Sequence, residues 1–300
     1  MTHSTDNMFS PEDSNPNNFL SLPLNKSSLA NSKTILLPVP YDGTASYKSG
    51  SRDAPAALIK ASHQLEDYDL ELQCQPSDLG IHTAYELPVD VSSPDAMVSK
   101  IESAVHHYLT FNKLVGIIGG EHTITVGAVA AMARKYPDLS VVIFDAHADM
   151  RNTYQESRFS HACVTRRVAE ICQAVVLGTR SLSLEESDAI AKTENPHVFF
   201  SSDGSLPTWQ DISTLISPNV YISIDLDILD PSIMSAVGTP EPGGVMWHSL
   251  LPLLKTLIWN RHIVGFDITE LNPNQGAESC VYTAAKLAYK IIGYSTILSS

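Results

Sequence analysis

Four short groups of acidic and histidine residues follow apolar runs of strand length in this sequence. The run at residues 114–118 leads into Gly-Gly-Glu-His (119–122), and the run at 140–144 leads into Asp-Ala-His-Ala-Asp (145–149). The runs at 220–224 and 263–266 lead into Asp-Leu-Asp (225–227) and Asp-Ile-Thr-Glu (267–270). Ligands of open parallel sheets bind beyond the carboxyl ends of the strands, so we expect these groups to converge at one edge.

These groups are rich in aspartate and histidine, the side-chain types that commonly bind divalent cations. Residues two apart on an extended strand point the same way, so each Asp-x-His-x-Asp or Asp-x-Asp group is predicted to share one side. Closely packed carboxylates repel one another unless some are protonated or cations lie between them. Aspartate and histidine without thiolates favour manganese and related metals over a structural zinc site. The predicted ligands of two cations are His122, Asp145, His147, Asp149, Asp225 and Asp227.

Each group taken alone has a simpler interpretation. A single Asp-x-Asp is more often a solvated strand end than a metal site, and a lone histidine such as His122 is more often a core or cap residue. Three clusters at three strand ends are hard to explain in this way. The combination therefore favours the metal site.

The elements that must position these groups follow from hydrophobic patterning. Nearly continuous apolar runs predict strands covered on both faces, at residues 34–39, 114–118, 140–144, 174–177, 198–200, 220–224 and 263–266. Helical patterns lie between them, at 54–63, 94–111, 123–136, 161–172, 183–192, 208–215, 246–259 and 277–292. Strands that alternate with helices predict an α/β protein, a three-layer α/β/α sandwich with a mostly parallel central sheet.

The domain organisation is predicted to be simple. Residues 1–30 are rich in Asn, Ser, Asp and Pro and lack the pattern of a signal peptide, so we expect a polar, partly disordered lead-in. Residues 31–300 are expected to form a single domain. No apolar run reaches the length of a membrane span, and the four cysteines form no CxxC pair. These features predict a cytoplasmic protein without a membrane partner.

The formal net charge of −14 narrows the class of ligand. Binding to nucleic acid needs clustered basic residues, so a nucleic-acid partner is not expected. An excess of acidic residues often serves solubility alone. The alternative is that some of the carboxylates hold cations or attract a cationic substrate.

Five segments resemble signature blocks of the ureohydrolase family, which includes arginase and agmatinase. They are Gly-Gly-Glu-His-Thr (119–123), Asp-Ala-His-Ala-Asp (145–149), Ser-Ile-Asp-Leu-Asp-Ile-Leu-Asp-Pro (223–231), Gly-Thr-Pro-Glu-Pro-Gly-Gly (238–244) and Asp-Ile-Thr-Glu-Leu-Asn-Pro (267–273). They occur in the family's order, and the resemblance extends from about residue 34 to the carboxyl terminus. It implies an arginase-like fold and two metal ions, predicted to be Mn²⁺ with Ni²⁺ as the alternative.

The resemblance also implies a role for each site residue. One metal would bind His122, Asp145, Asp149 and Asp225, and the other Asp145, His147, Asp225 and Asp227. A hydroxide that bridges the metals would then attack the guanidinium carbon of the substrate, because a bound cation makes hydroxide available at neutral pH.

The resemblance implies three catalytic residues: Asp149, His161 and Glu270. Asp149 would carry the released proton toward the leaving amine. His161 would contact the substrate or exchange protons, and Glu270 would bind the guanidinium group through paired hydrogen bonds.

The segment around His161 favours the agmatinase branch of the family. Arginases usually carry Ser-Gly-Asn before this histidine to hold the α-carboxylate of arginine, whereas Phe159 stands at the Asn position here. The predicted reaction is therefore agmatine and water to putrescine and urea, a step of polyamine biosynthesis. The alternatives are another small cationic guanidino substrate (guanidinobutyrate, guanidine or arginine), a non-catalytic family member, or a deacetylase with a single zinc. By resemblance, a homo-oligomer (trimer or hexamer) is expected.

Overall fold

The computed structural model describes residues 15–298, so residues 1–14 of the predicted lead-in lie outside the described part. These residues contain eight strands: β1 (Thr34–Val39), β2 (Ile81–Thr83), β3 (Leu114–Gly119), β4 (Ser140–Phe144), β5 (Gln173–Thr179), β6 (His197–Phe200), β7 (Asn219–Asp225) and β8 (His262–Thr269). They form one sheet in the order β2-β1-β3-β8-β7-β4-β5-β6, and every neighbouring pair is parallel. The predicted α/β class is confirmed. The short edge strand β2 was not predicted.

Helices cover both faces of the sheet. They are α1 (Leu24–Ser27), α2 (Ala54–Ser62), α3 (Pro94–Leu109), α4 (Ile124–Lys135), α5 (Val164–Ala169), α6 (Leu184–Ile190), α7 (Trp209–Ile212), α8 (Trp247–Asn260) and α9 (Glu278–Gly293). One layer contains α2, α8 and α9, and the opposite layer contains α3, α4 and α5. Between residues 15 and 298, no helix combines the length and apolar character that a membrane crossing requires.

The two halves of the core follow from the alternation of side chains along each strand. In β4, Val142 and Phe144 pack into the layer of α2, α8 and α9, whereas Val141 and Ile143 pack into the opposite layer. All four side chains are fully buried. The central strands are mostly apolar because both of their faces are covered, as the continuous runs predicted.

Residues 15–30 differ from the expected polar lead-in. Phe19 is fully buried, and its ring lies 6.5 Å from the ring of Tyr289 in α9. The Phe19 backbone N–H donates to Thr83 Oγ1 at 2.9 Å, and the Leu20 N–H donates to Ser62 Oγ at 2.8 Å. The polar composition of this segment concealed a few apolar side chains that complete the core beside α2 and α9.

The sheet order brings the four predicted site segments together. The strands β3, β8, β7 and β4 are consecutive neighbours near the middle of the sheet. Their carboxyl ends carry His122, Glu270, Asp225 and Asp145, respectively, or lead directly into them. Residues that are up to 148 positions apart in sequence, such as His122 and Glu270, are therefore in contact.

Gly120 connects three segments at this edge. Its N–H donates to Val39 O at 2.9 Å, and its carbonyl accepts the Glu270 N–H at 2.8 Å. A Cβ at this position would lie 1.9 Å from the carbonyl oxygen of Tyr41. Only glycine allows the backbone after β3 to approach the residue 41 backbone this closely.

We predict that Gly120→Ala lowers the free energy of unfolding by about 2–3 kcal/mol, in the upper part of the usual cost of overpacking, because a backbone atom must move. Urea unfolding followed by circular dichroism measures this change. Gly238→Ala is the matched control, since a Cβ there meets only Lys48 O, at 3.3 Å. Equal stabilities of the two variants would contradict this account of the Gly120 contact.

Candidate metal centre and active site

The first group of site residues surrounds the ring nitrogen Nδ1 of His122. This atom lies 3.2 Å from Asp145 Oδ2, 3.2 Å from Asp149 Oδ2 and 3.5 Å from Asp225 Oδ2. All four side chains are buried. One histidine nitrogen therefore faces three carboxylates, two from the segment that follows β4 and one from the end of β7.

The second group shares Asp145 with the first. His147 Nδ1 lies 2.8 Å from Asp227 Oδ2 and 3.8 Å from Asp145 Oδ1. One ligand atom each from Asp145, His147 and Asp227 falls within 4.8 Å of the others, as is also true of His122, Asp145 and Asp149. The structure thus brings together all six residues that the sequence predicted as ligands, in two adjoining clusters.

Two of these residues reach the site by a different backbone path from the predicted one. The extended chain ends before Asp149, which has a left-handed φ of 50°. Asp227 lies in a 3-10 turn, Leu226–Ile228, whose start is capped by a hydrogen bond from the Asp227 N–H to Asp225 Oδ1 at 2.9 Å. The prediction that simple strand alternation aligns these side chains was therefore wrong, although the convergence itself was correct.

The carboxyl groups of the two clusters disturb one another strongly. Burial, together with the charges of Asp149 and Asp227, raises the pKa of Asp145 to about 7. Burial and the charges of Asp227 and Asp145 also hold the pKa of Asp225 well above its usual value. Two unit charges 4 Å apart near a protein surface interact by about 4 kcal/mol, so this arrangement calls for positive charge.

His147 and Asp227 form the most strongly paired contact of the site. Burial would raise the pKa of Asp227, but the charge and hydrogen bond of His147 lower it to about 2. Burial acts in the opposite direction on His147, whose pKa Asp227 and Asp145 raise to about 10. A cation that binds Nδ1 of His147 must therefore displace a proton and take over its favourable interaction with Asp227.

The residues present fit a pair of divalent cations. Asp145 Oδ2 is buried and accepts no hydrogen bond of regular geometry, although it lies 3.2 Å from His122 Nδ1. A buried carboxylate oxygen without a hydrogen bond is costly unless a cation compensates it. Carboxylate and imidazole groups without a thiolate are the donor set of manganese-type sites rather than of structural zinc sites.

Glu270 lies beside the clusters with a left-handed φ of 62°. Its Oε1 accepts the backbone N–H of His122 at 2.7 Å, which holds the carboxyl group against the start of α4. Burial and the neighbouring charge of Glu121 raise the pKa of Glu270 to about 8. A cationic partner in the cavity would stabilise the ionised form of this carboxyl group.

His161 is held by the loop that follows β1. Its backbone N–H donates to Thr44 Oγ1 at 2.9 Å, and its ring Nε2 lies 3.0 Å from Ser46 Oγ. Thr44 in turn donates its hydroxyl to the buried Glu121 at 2.6 Å and its N–H at 2.8 Å. Burial lowers the pKa of His161, so its ring is neutral at neutral pH and can give or take a proton.

A cavity of about 290 Å³ opens above these groups. Its lining includes His147, Asp149, Asp225, Asp227 and Glu270, together with His161. The remaining walls include serines and three larger side chains: Arg151, Tyr154 and Glu186. The site is therefore open to a small molecule that can reach both the Asp/His clusters and Glu270.

Glu186 is a site residue that sequence reasoning missed. Its Oε2 accepts both the N–H and the hydroxyl of Ser183 at 2.8 Å, and Ser183 Oγ accepts the Glu186 N–H at 3.3 Å, which completes the capping box of α6. Its Oε1 accepts the Met150 N–H at 3.0 Å and so fixes the loop that carries Asp149. The Ser-x-x-Glu spacing at 183–186 was the available signal, since it is typical of a helix start.

A sequence comparison identifies the family to which this site belongs. Residues 32–293, which are most of the chain, match the pattern described as the arginase family. The chain belongs to this family. Its members are ureohydrolases with binuclear metal sites, and the two clusters of the structure lie in the region that the family pattern covers. The predicted hydrolase class and family are thereby confirmed.

Two proteins of related sequence agree with this assignment. The chain is 38% identical to the N(1)-aminopropylagmatine ureohydrolase of Synechocystis, over 89% of this chain and 90% of that protein. It is 35% identical to the agmatinase of Pyrococcus horikoshii, over 87% of this chain and 91% of that protein. The agmatinase-type branch of the family is therefore supported, while the named substrates of the relatives differ.

Solved structures agree with the fold. The agmatine ureohydrolase of Thermoplasma volcanium superposes with a TM-score of 0.76 at 31% identity, covering 90% of this chain and 92% of that one. The arginase of Medicago truncatula gives a TM-score of 0.73 at 25% identity, covering 88% of each chain. The predicted arginase-like architecture is confirmed.

We predict that Asp227→Ala lowers the metal content of the purified protein from two ions toward one and nearly abolishes urea release. The reason is that Asp227 belongs to the cluster of Asp145 and His147 but not to that of His122 and Asp149. Elemental analysis after gel filtration measures the content. Asp203→Asn is the control, because Asp203 is exposed and its carboxylate accepts hydrogen bonds from the nearby Ser205. Unchanged metal content in Asp227→Ala would contradict the assignment.

Proposed function

We propose that this ureohydrolase releases urea from a guanidinoalkyl amine, with agmatine and its N1-aminopropyl derivative as the candidate substrates. The observation that carries the proposal is the position of Glu270. Glu270 lines the same small cavity as four residues of the Asp/His clusters, namely His147, Asp149, Asp225 and Asp227. A guanidinium group bound to Glu270 would thus meet the metal centre without leaving the cavity.

We assign one cation to His122, Asp145, Asp149 and Asp225, and the other to Asp145, His147, Asp225 and Asp227. Asp145 and Asp225 would then serve both ions, in accord with the contacts of Asp145 in both clusters. Mn²⁺ is the proposed metal, with Ni²⁺ as the alternative. Divalent cations at such a site lower the pKa of water toward about 7 and so supply hydroxide at neutral pH.

Glu270 is suited to orient the guanidinium group. One of its oxygens accepts the His122 N–H at 2.7 Å, so the carboxylate cannot rotate freely. A planar guanidinium presents paired N–H donors that match a carboxylate. The raised pKa of Glu270 returns toward its usual range when such a cation binds beside it.

Asp149 and His161 are proposed to move protons. Both line the cavity, and Asp149 is held beside His122 by the Nδ1 contact at 3.2 Å. Asp149 can take the proton released during attack on the guanidinium carbon and pass it to the leaving amine. His161 is neutral and half-buried, and Ser46 fixes its ring, so it can exchange protons with the substrate side of the cavity.

The substrate tail is the second part of the proposal. Phe159 does not line the cavity; it packs against the core beside α3 and α4, and its carbonyl accepts Thr123 Oγ1 at 3.1 Å. Its side chain therefore cannot hold the α-carboxylate of arginine. Glu186 adds a negative charge to the cavity wall, which favours an amine. The relatives named above are an agmatinase and an aminopropylagmatine ureohydrolase.

A guanidino acid such as guanidinobutyrate is the second candidate, and Arg151 is the observation that favours it. The Arg151 guanidinium lies on the cavity wall, 3.9 Å from Glu186 Oε2 and 4.9 Å above the ring of Tyr154. If Arg151 turns away from Glu186, it can bind a carboxylate. The balance between these two side chains would decide which tail is accepted.

Three further expectations stay predictions. They are a cytoplasmic location with a role in polyamine biosynthesis, assembly into a homo-oligomer, and the absence of nucleic-acid and membrane partners.

We predict that Glu270→Gln lowers kcat/KM for urea release about 10- to 150-fold, because a hydrogen bond to a charged group is worth about 1.5–3 kcal/mol. Both metal ions should remain bound, and elemental analysis checks this. Glu278→Gln, at the exposed start of α9, is the control. Loss of metal from Glu270→Gln would make the residue part of the metal centre instead.

We predict that the wild type prefers agmatine or N1-aminopropylagmatine to guanidinobutyrate, guanidine and arginine in a urea-release assay with Mn²⁺ and with Ni²⁺.

Arg151→Met should raise the preference for a cationic tail over guanidinobutyrate, because it removes the only arginine on the cavity wall within residues 15–298. Arg158→Met is the matched control, since Arg158 pairs with Glu170 away from the cavity. If the wild type instead prefers guanidinobutyrate, the result would contradict an amine tail and support a guanidino acid as the substrate.

A further inference from the structure

A buried carboxylate that belongs to neither cluster lies behind His122. Asp267 is fully buried in β8, and three hydroxyl groups bond to it. Ser223 Oγ donates to Asp267 Oδ1 at 2.7 Å, whereas Thr125 Oγ1 and Tyr221 OH donate to Oδ2 at 2.9 and 2.8 Å. The function proposed above gives this group no role.

The sheet register explains how these groups meet. Ser223 in β7 is paired with Asp267 in β8. Tyr221, Ser223 and Asp225 are spaced by two along β7 and therefore point to the same face. Thr125 comes from the first turn of α4, three residues after His122. The same backbone elements thus carry the site residues and this second layer behind them.

The hydrogen bonds of this layer fix the position of each proton. Ser223, Thr125 and Tyr221 each donate a hydroxyl hydrogen bond to a carboxyl oxygen of Asp267, so all three hydroxyl protons point toward Asp267. The Ser223 hydroxyl has a single proton, which it gives to Asp267. Ser223 Oγ lies 3.0 Å from His122 Nε2 and can therefore only accept at that contact. Thr125 Oγ1 is 3.3 Å from Ser223 Oγ, but its proton is directed to the nearer Asp267 oxygen.

The consequence reaches the metal centre through the histidine ring. If Ser223 accepts, His122 Nε2 must carry a proton. The neutral ring then has its lone pair on Nδ1, the atom that lies 3.2 Å from Asp145 and Asp149. Which nitrogen of a ligand histidine is protonated is set by the hydrogen bond of the other nitrogen.

We propose that Asp267 is a positioning residue for the metal centre, which acts through Ser223 to keep the proton of His122 on Nε2 and leave Nδ1 free to bind a cation. The inference rests on the proposed two-metal site. It adds a requirement that the ligands alone do not impose, namely the orientation of one buried hydroxyl group.

The variant Asp267→Asn tests this orientation without a large change of volume. An amide has one acceptor oxygen and one NH₂ donor. Two hydroxyls face Oδ2 and one faces Oδ1, so the amide is expected to turn its oxygen toward Thr125 and Tyr221. Its NH₂ then faces Ser223, which must reverse and donate to His122 Nε2. That reversal favours a proton on Nδ1, which opposes cation binding.

The measured quantity is the dissociation constant of Mn²⁺ in chelator competition, with folding checked by circular dichroism. Asp267→Asn and Ser223→Ala should each weaken Mn²⁺ binding at one of the two sites, the one that contains His122. The expected loss is about 10–100-fold, the range seen for groups that hydrogen-bond to metal ligands. The double variant should be no weaker than the single ones, because both changes break the same chain of hydrogen bonds.

Tyr221→Phe is the matched control. It removes one donor to Asp267 Oδ2 and leaves the Ser223 contact to Oδ1 in place. Its Mn²⁺ affinities should match those of the wild type even if its unfolding temperature falls. A purely structural role of Asp267 would instead lower the unfolding temperature of all these variants without changing Mn²⁺ affinity in any of them.

A second readout follows the proton directly. In protein loaded with diamagnetic Zn²⁺, the Nε2 proton of His122 should give a protected NMR signal in the wild type and in Tyr221→Phe, and should exchange faster in Ser223→Ala. If Asp267→Asn does not fold, Ser223→Ala carries the test by both measurements. Unchanged Mn²⁺ affinity in a folded Ser223→Ala or Asp267→Asn protein, or additive losses in the double variant, would overturn the inference. A wild type that binds no Mn²⁺ would overturn the proposed function with it.

Discussion

The crowding of buried carboxylates at the end of four central strands is the constraint on which the rest of the site depends. Asp145 lies within 4.8 Å of ligand atoms from both clusters and is fully buried. Such an arrangement is stable only with protons or cations between the acidic groups. The sheet supplies the rigidity that keeps these groups together against their repulsion, because β3, β8, β7 and β4 are neighbours that both helical layers cover.

Much of this could be predicted from the sequence, since the signals involved are local. Continuous apolar runs located seven of the eight strands, and each predicted ligand follows one of them. Backbone paths were less predictable. The left-handed φ of Asp149 and the turn around Asp227 depend on contacts with other segments, such as that of Glu186 with Met150. The burial of Phe19 was not predicted, because it belongs to a short apolar group with Leu20 and Leu22 inside a segment that is otherwise mostly polar.

Contacts between distant segments account for what the sequence could not reveal. Thr44 and Glu121 are 77 residues apart, yet their paired hydrogen bonds hold the loop that fixes His161. The hydroxyl groups around Asp267 come from α4 and β7. Thr44, Thr125 and Tyr221 have no type or spacing that indicates catalysis, and Glu121, Ser223 and Asp267 lie in the predicted site segments without an individual role assigned to them. Their roles depend on which elements the sheet order brings together, and that order cannot be read from any one segment.

The strand order also has a consequence for how the chain folds. β3 and β4 follow one another in sequence, but β8 and β7 lie between them in the sheet, and these two strands are formed by the last third of the chain. The two halves of the ligand set therefore face each other only after the carboxyl-terminal strands have inserted. Contacts of such long sequence separation form late and slow the search for the native state. The full set of ligands is present only in the completed sheet. Cation binding therefore shifts the equilibrium between unfolded and folded protein toward the completed fold.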